Sequence, residues 1–392
     1  MSVRQDIRPA LKGYQEIKKE MEICQKYGRD YRHDRGLKAA IIDRLHPRQL
    51  ELTVSEIITE NAHAKTLRLT ANGRALPSFL PGQYLSLTMD IDGVRTSRPY
   101  SISSSPTQTA YYDLTVGRVK DGFVSNYLLD EVKVGDTLTT SGPLGNFYYN
   151  PLFHGQKLVF LAGGTGITPF MSMIRTFTDQ NLDLDILLLY GCRSVKDALF
   201  LPELRRRAEL HTNFKFELVL SEPDSGDQGR RGLIDASLIK ELVNDMAGTT
   251  FYICGPSAMQ EFCTSQLESL GVRRRAIRRE AFISPGDVLN DPAWPKDISA
   301  DNPVTLTVQR SSGEIVTINT RVGEPVLTAL EKAGLAVPNA CRTGECSLCR
   351  VKMTAGKVFQ PNSALVRQSD RLLGYIHSCR AYPLSDLTLV IQ

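Results

Sequence analysis

Tryptophan is almost missing from this chain, with Trp294 alone among 392 residues, and histidine is scarce at six. No apolar run approaches the roughly 18 residues of a membrane span. The first residues, MSVRQDIRPALKGYQ, have no hydrophobic segment of the secretory kind. Internal repeats and low-complexity tracts are also absent. These gaps argue against a membrane-spanning protein, a repeat solenoid and a secreted scaffold. What remains is a globular composition, 42% hydrophobic and 23% charged, on a chain long enough for two or three domains with their own cores.

A concentrated excess of one charge is lacking as well. Residues 1–50 carry 12 Lys/Arg against 7 Asp/Glu, which leaves 35 against 36 for the rest. The basic surplus alternates in sign along its segment, so it reads as a solvated helical face. Nucleic-acid binding would call for a basic face with groove-reading or aromatic elements.

Cysteine is present in a pattern. Cys341-x4-Cys346-x2-Cys349 is followed, after 29 residues, by Cys379, the plant-type spacing for a [2Fe–2S] cluster held by four thiolates. Zinc sites usually show two short knuckles; here three cysteines share one loop and the fourth stands alone. Four unrelated buried thiols would explain the register poorly. Gly344 relaxes the backbone for a tight wrap. Such a cluster moves single electrons, and with unpaired cysteines it points to a reducing, cytoplasmic setting.

Pattern divides the chain into five stretches: 1–50, 51–152, 153–283, 284–302 and 303–392. In the first, Leu11, Tyr14, Ile17, Met21, Cys24 and Tyr27 recur at helical steps; Gly28 interrupts, and Leu37, Ile41, Ile42 and Leu45 suggest a shorter helix before Pro47. Residues 51–152 hold short alternating strands with Gly and Pro turns, as in a β-barrel. Residues 153–283 alternate apolar strands with helices, predicting a parallel α/β sheet. The Pro- and Asp-rich stretch 284–302 reads as a linker, pinned to a domain by Trp294.

Within the barrel stretch, Arg98-Pro-Tyr-Ser101 precedes Asp121-Gly-Phe-Val-Ser125 by about 20 residues. Arg98 suits a phosphate, Tyr100 a flat ring, and Ser101 a short hydroxyl at a redox-active edge. Gly122 and Ser125 suit a diphosphate at a helix N-terminus. Further on, Gly163-Gly-Thr-Gly-Ile-Thr-Pro169 follows a strand and opens a helix, and Cys254-Gly-Pro256 ends a later strand. The carboxyl ends of parallel strands are where such sheets take ligands.

In these motifs the chain resembles the ferredoxin–NADP reductase superfamily, and within it the reductases with a C-terminal ferredoxin domain, over residues 50–392. The resemblance implies an antiparallel flavin barrel, a nicotinamide-nucleotide α/β domain and a β-grasp-like [2Fe–2S] domain after an N-terminal helical extension. It implies that Arg98, Pro99, Tyr100, Ser101, Gly117, Val119, Gly122, Val124, Ser125 and Phe282 line the flavin. It gives Gly163, Gly164, Thr165, Gly166, Thr168, Pro169, Cys254, Gly255 and Pro256 to the nicotinamide nucleotide. Ser101, Cys254 and Glu280 are the expected catalytic residues, and Cys341, Cys346, Cys349 and Cys379 the cluster ligands. Pro143-Leu-Gly-Asn-Phe147 favours FAD over FMN, its glycine leaving space for the adenosine half. Arg193, Ser194 and Lys196 follow the second strand without an acid directly after it, which leans towards NADPH, with NADH as the alternative.

The function implied is transfer from NAD(P)H through flavin and cluster to an acceptor protein, a terminal oxygenase or demethylase. Arg342 is expected to steer that partner, and Arg205–Arg207 to be solvated. Other readings are a reductase for another metalloprotein or a soluble ferredoxin, and an assembly subunit docking through residues 1–50.

Overall fold

The computed structural model describes residues 13–26, 39–43, 47–73, 75–282 and 285–391. It divides into two units, Met1–Arg48 and Gln49–Gln392. In the first, the helix Tyr14–Lys26 has Glu16 in its first turn and Lys26 in its last, each suited to the helix dipole. It buries none of its side chains, and Ile17, Met21 and Ile23 are exposed. A shorter helix spans 39–43. Leu11, Tyr27, Gly28, Leu37 and Leu45 lie outside the described residues.

The second unit opens with an antiparallel sheet of β1 (Leu50–Asn61), β2 (Ala64–Thr70), β3 (Tyr84–Ile91), β4 (Val94–Ser101), β5 (Tyr112–Gly117) and β6 (Thr137–Thr140). Its order is β4-β3-β6-β1-β2-β5. The bridge Ile102↔Leu114 joins the continuation of β4 to β5 and closes the sheet into a barrel. Leu52 and Val54, Leu67 and Leu69, Leu85 and Leu87, and Leu114 and Val116 are buried at two-residue spacing, the inward face of pleated strands.

Six parallel strands follow: β7 (Lys157–Gly163), β8 (Asp185–Cys192), β9 (Phe214–Leu220), β10 (Arg230–Arg231), β11 (Thr249–Gly255) and β12 (Ile277–Ala281). The order β10-β9-β8-β7-β11-β12 reverses between β7 and β11. Brought side by side there, the ends of these two strands form the switch point at which open α/β sheets bind ligands.

The C-terminal sheet is β14 (Ile315–Arg321), β13 (Pro303–Arg310), β17 (Leu387–Ile391), β15 (Arg350–Ala355) and β16 (Tyr375–His377), with β13 and β17 parallel. The helix Val326–Lys332 lays Val326, Leu327, Ala329 and Leu330 on it, a β-grasp arrangement. Trp294 packs edge-on against Phe359 at 5.1 Å and Tyr382 at 5.9 Å, so the segment before this sheet is anchored to it through one large ring.

Barrel and nucleotide sheet are held by a half-buried ion network. Arg175 bonds Glu203 through two nitrogens, at 3.0 and 2.6 Å, and reaches across to the Ser103 carbonyl at 2.8 Å. Arg207 pairs with Glu203 and Asp179. Although burial opposes ionisation, the two guanidinium groups hold the Glu203 carboxyl down to about 2. The expectation of a solvated Arg205–Arg207 run is therefore corrected at Arg207, which is buried.

Candidate functional site

The seam between barrel and nucleotide sheet collects the expected chemistry. Ser101, the last residue of β4, donates from Oγ to Glu280 Oε2 at 3.3 Å. Glu280 lies on β12 directly opposite Cys254 on β11. The three expected catalytic residues thus meet at one place. Burial pushes the Glu280 carboxyl up to about 8 against the opposing Ser101 hydrogen bond, although the residue keeps a partial opening to the seam. Burial, and then the Glu280 charge, drive the Cys254 thiol well up. A protonated carboxyl and a neutral thiol leave this pocket uncharged near neutral pH. Gln260, not singled out in the sequence, locks it by donating to the Gly255 carbonyl at 2.9 Å and the Glu280 carbonyl at 2.8 Å.

Arg98 donates to the Thr96 hydroxyl at 2.8 Å and the Ser97 carbonyl at 2.6 Å. Burial and the neighbouring Arg342 cation lower its pKa to about 10. A buried cation bonded to neutral oxygens fits an arriving phosphate. The helix Phe123–Asp130 starts at Gly122 without a side-chain cap, so its first-turn N–H groups have no intrahelical partner. The Ser125 hydroxyl is already used, accepting from the Val119 N–H at 3.2 Å. A Cβ on Gly122 would strike that hydroxyl. Val124 is buried, Gly117 packs so closely on Thr165 that a Cβ would collide with it, and Phe282 rests on the nucleotide-domain core. Pro99 pairs with Ser86 in the sheet, and Tyr100 packs against the barrel core. Gly145 of the Pro143–Phe147 segment has φ +109°, and a Cβ there would meet the Tyr84 ring at 2.9 Å. The space that this glycine leaves is filled by Tyr84.

At the switch point, Gly164–Ile167 forms a 3-10 turn between β7 and the helix Thr168–Asp179, with Pro169 in its first turn. A Cβ on Gly166 would strike the Cys254 carbonyl, and one on Gly163 would strike Met259 and crowd Pro256. The glycines therefore let the two strand ends touch. The Thr168 hydroxyl closes the turn on the Thr165 carbonyl at 3.0 Å.

The turn after β8 differs from the reading that leaned towards NADPH. Asp197 caps it, accepting from the Ser194 N–H and hydroxyl at 3.1 Å each. Arg193 pairs with Asp197 at 3.4 Å and Lys196 with Asp224 at 2.7 Å. The groups expected to greet a 2′-phosphate are occupied by carboxylates.

In the ferredoxin loop, Arg342 (φ +55°), Gly344 (φ +87°) and Ser347 (φ +59°) take left-handed backbone, which wraps the chain around the thiols at the cost of strain at the two non-glycine positions. The four thiols form two pairs: Cys341 with Cys346, and Cys349 with Cys379, whose Sγ atoms lie 3.2 Å apart. Among the described residues no group of three or more His, Cys, Asp or Glu side chains closes on one point. Two pairs match a two-iron rhomb better than one tetrahedral ion. The Cys346 thiol and the N–H groups of Thr343 and Cys346, at 3.4 Å each, hold the Cys341 thiol well below the usual range. Five side-chain atoms beside the cysteines are buried with no partner: Arg342 Nε, Thr343 Oγ1, Ser347 Oγ, and Arg380 Nε and Nη1. Unpaired donors of this kind fit the acceptor sulfurs of a cluster.

Tyr84 connects the two regions: burial raises its pKa first, then the charges of Cys341, Cys346, Glu280 and Glu345. Tyr84 pairs with Ser101 in the barrel sheet, and on the same strand Ser86 donates to the Ala340 carbonyl at 3.4 Å, so the ferredoxin loop lies against the barrel beside the seam. Thr96 donates to Glu331 at 3.0 Å and Ser97 to Asn339 at 2.5 Å. Arg342 is 11% exposed, ion-paired with Glu331 and bonded to Thr96. It belongs to this internal interface, which corrects its expected role in steering a partner.

Comparison with known proteins agrees with this architecture. Residues 49–149 match the oxidoreductase FAD-binding domain family, 160–265 the oxidoreductase NAD-binding domain family, and 309–384 the 2Fe-2S iron-sulfur cluster binding domain family. The chain is 32% identical over 342 residues to the glycine betaine monooxygenase reductase subunit of Pseudomonas aeruginosa, covering 85% of this chain and 93% of that protein. It is 30% identical over 314 residues to the NADH oxidoreductase HCR of Escherichia coli, covering 79% and 88%. The solved phthalate dioxygenase reductase shares the fold, with TM-score 0.65 and 22% identity over 88% of this chain and 98% of that one. Among the described residues no helix is long and apolar enough to cross a membrane. Three domain families in sequence and a relative matched along nearly its whole length make the chain a member of the ferredoxin–NADP reductase superfamily, an NAD(P)H-dependent oxidoreductase with FAD and a C-terminal [2Fe–2S] domain.

Proposed function

We propose that this protein is the reductase component of a multicomponent oxygenase or demethylase, taking electrons from NADH in pairs and releasing them singly to the oxygenase. The observation that carries the reading is strand β3, whose Tyr84 pairs with Ser101 of the seam while its Ser86 donates to the Ala340 carbonyl beside Cys341 at 3.4 Å, so donor and exit sites adjoin. Bound FAD and cluster supply the redox chemistry, hydride acceptance on one side and one-electron exit on the other. Arg98 and the first turn after Gly122 would hold the flavin phosphates, Tyr100 would offer its ring to the flavin, and the Ser101 hydroxyl, which donates to Glu280, would face the redox-active edge. Gly163–Thr168 and Cys254–Pro256 seat the nicotinamide nucleotide. Cys341 with Cys346, and Cys349 with Cys379, hold the two irons. The domains run 51–152, 153–283 and 303–392, and the unpaired thiols suit a cytoplasmic setting.

NADH is the donor because Asp197 and Asp224 already neutralise Arg193 and Lys196. A 2′-phosphate would have to displace both carboxylates, whereas a free 2′-hydroxyl would not. Reconstitution tests the whole reading: the protein with NADH is combined with the oxygenase component of P. aeruginosa glycine betaine monooxygenase. Product formation that needs this chain supports it. Reduction of a soluble ferredoxin while the oxygenase stays oxidised would contradict it.

A further inference from the structure

The exposed leucines of the C-terminal domain gather where its cysteines are. Leu348, between Cys346 and Cys349, is 48% exposed; Leu365 is 62%, Leu372 78% and Leu373 64% exposed. Their segments are tied to the cysteine loop by specific contacts. Arg350, next to Cys349, pairs with Asp370 of the helix Gln368–Leu372 at 3.5 Å. His377 joins that Asp370, at 3.2 Å, to the Gly344 carbonyl, at 2.8 Å. Ala364, beside Leu365, lies so near Gly344 that a Cβ there would touch it at 3.0 Å, and Arg380 reaches Ser363 at 3.4 Å. The leucines therefore belong to one neighbourhood around the loop, on segments other than the Thr96, Ser97, Glu331 and Asn339 contacts that face the barrel.

Positive charge is in excess on this neighbourhood. Arg367 and Arg371 are exposed, and neither has a carboxylate partner among the described residues. Asp370 is buried and committed to Arg350 and His377. Glu345, the loop's acid, is the exposed exception, and partial burial and the Cys341 charge push its carboxyl up against the opposing pull of Arg278 and Arg279. Four exposed leucines on neighbouring segments leave apolar area in water, and the hydrated guanidinium groups beside them supply the charged rim of an interaction site.

We propose that this leucine and arginine face is the docking surface for the electron-acceptor protein, and that the acceptor presents an acidic rim around an apolar centre. The inference rests on the reductase reading above and adds which face the acceptor meets and with what charge. Contact here brings the acceptor against the Cys346–Cys349 segment, while the flavin side stays covered by the barrel. The arginines set orientation and encounter rate; the leucines exclude water from the contact.

The test uses the flavin- and cluster-loaded full chain with two probes, cytochrome b5 (acidic around its haem) and cytochrome c (basic). Their binding to the oxidised protein is measured alongside their reduction under NADH. The wild type is expected to bind and reduce cytochrome b5 better, with affinity falling as salt rises. The double variant R367E/R371E is expected to weaken cytochrome b5 binding about tenfold and to improve cytochrome c. L372S/L373S is expected to weaken binding of cytochrome b5 by a similar factor, about tenfold. Reduction of the protein's own cluster by NADH, followed by EPR without any probe, should be unchanged in both variants. Equal binding of the two cytochromes by wild type, or unchanged cytochrome b5 binding in both variants, overturns the proposal. A wild-type dimer that L372S/L373S turns into monomer also overturns it, since a second copy then covers the face. A wild type whose cluster is not reduced by NADH overturns the reductase reading itself and is seen separately from binding.

Discussion

The seam around Glu280 and the loop around Cys346 both reach Tyr84, yet they treat their polar atoms in opposite ways. At the seam the polar side chains Ser101, Glu280 and Gln260 are hydrogen-bonded within the protein, Ser101 to Glu280 and Gln260 to two carbonyls. Protons stay there, on a carboxyl raised by burial and on a buried thiol. In the loop, donors on Arg342, Thr343, Ser347 and Arg380 are buried and unpaired, and the thiols stand in twos. The difference teaches that the seam is shaped to seat a neutral ring and exclude charge, while the loop is shaped to surround negative sulfur.

The largest break in this comparison comes from the loop. Cys346→Ser is expected to abolish the iron–sulfur absorption and EPR signal while the flavin is still bleached by NADH. A retained cluster spectrum would refute the pairing of Cys341 with Cys346. Next is Arg98→Ala, which removes the buried cation and leaves a phosphate unpaired. Flavin retention should fall by about 2 kcal/mol, or ~30-fold in dissociation constant, measured by fluorescence of released flavin. Full occupancy in that variant would move the phosphate site elsewhere.

A third prediction sharpens the seam. Glu280 ionises near its ordinary value when the chain unfolds but at about 8 when folded. The folded state therefore holds more protons between those values. Stability from this group is full below pH 4.5, declines through the window up to about 8, and is lost above it. Glu280→Gln should flatten the melting temperature over that range, read by calorimetry from pH 5 to 9. A variant with the wild-type slope would show that Glu280 is not buried as described. The smallest expected effect is on donor choice. Replacing Asp197 and Asp224 by Ser frees Arg193 and Lys196, and should lower the KM for NADPH by about fivefold with that for NADH nearly unchanged.

Motif spacing made much of this legible before the fold. The thiol register, the glycine turn, Cys254-Gly-Pro256 and Arg98–Ser101 all lie on single segments, where local backbone chemistry decides the role. Contacts across the seam were not legible. Arg342 and Arg207 read as solvent-facing arginines because nothing local distinguishes a buried guanidinium from an exposed one; only packing brings Glu331 or Glu203 to them. Asp197 does not stand directly after β8, where an acid facing a 2′-hydroxyl is expected; it enters as the cap of the following turn, which only the folded backbone shows. Tyr84 carries no motif of its own, and its place between two sites is a property of three domains together.

The most direct measurement is an anaerobic titration of the loaded protein with NADH, and separately with NADPH, followed by visible spectra and EPR. The account predicts that NADH bleaches the flavin and iron–sulfur bands together and develops a reduced [2Fe–2S] signal, with NADPH needing higher concentration. Bleaching of the flavin with no iron–sulfur signal would contradict the claim that the seam and the loop form one path through their common neighbour Tyr84.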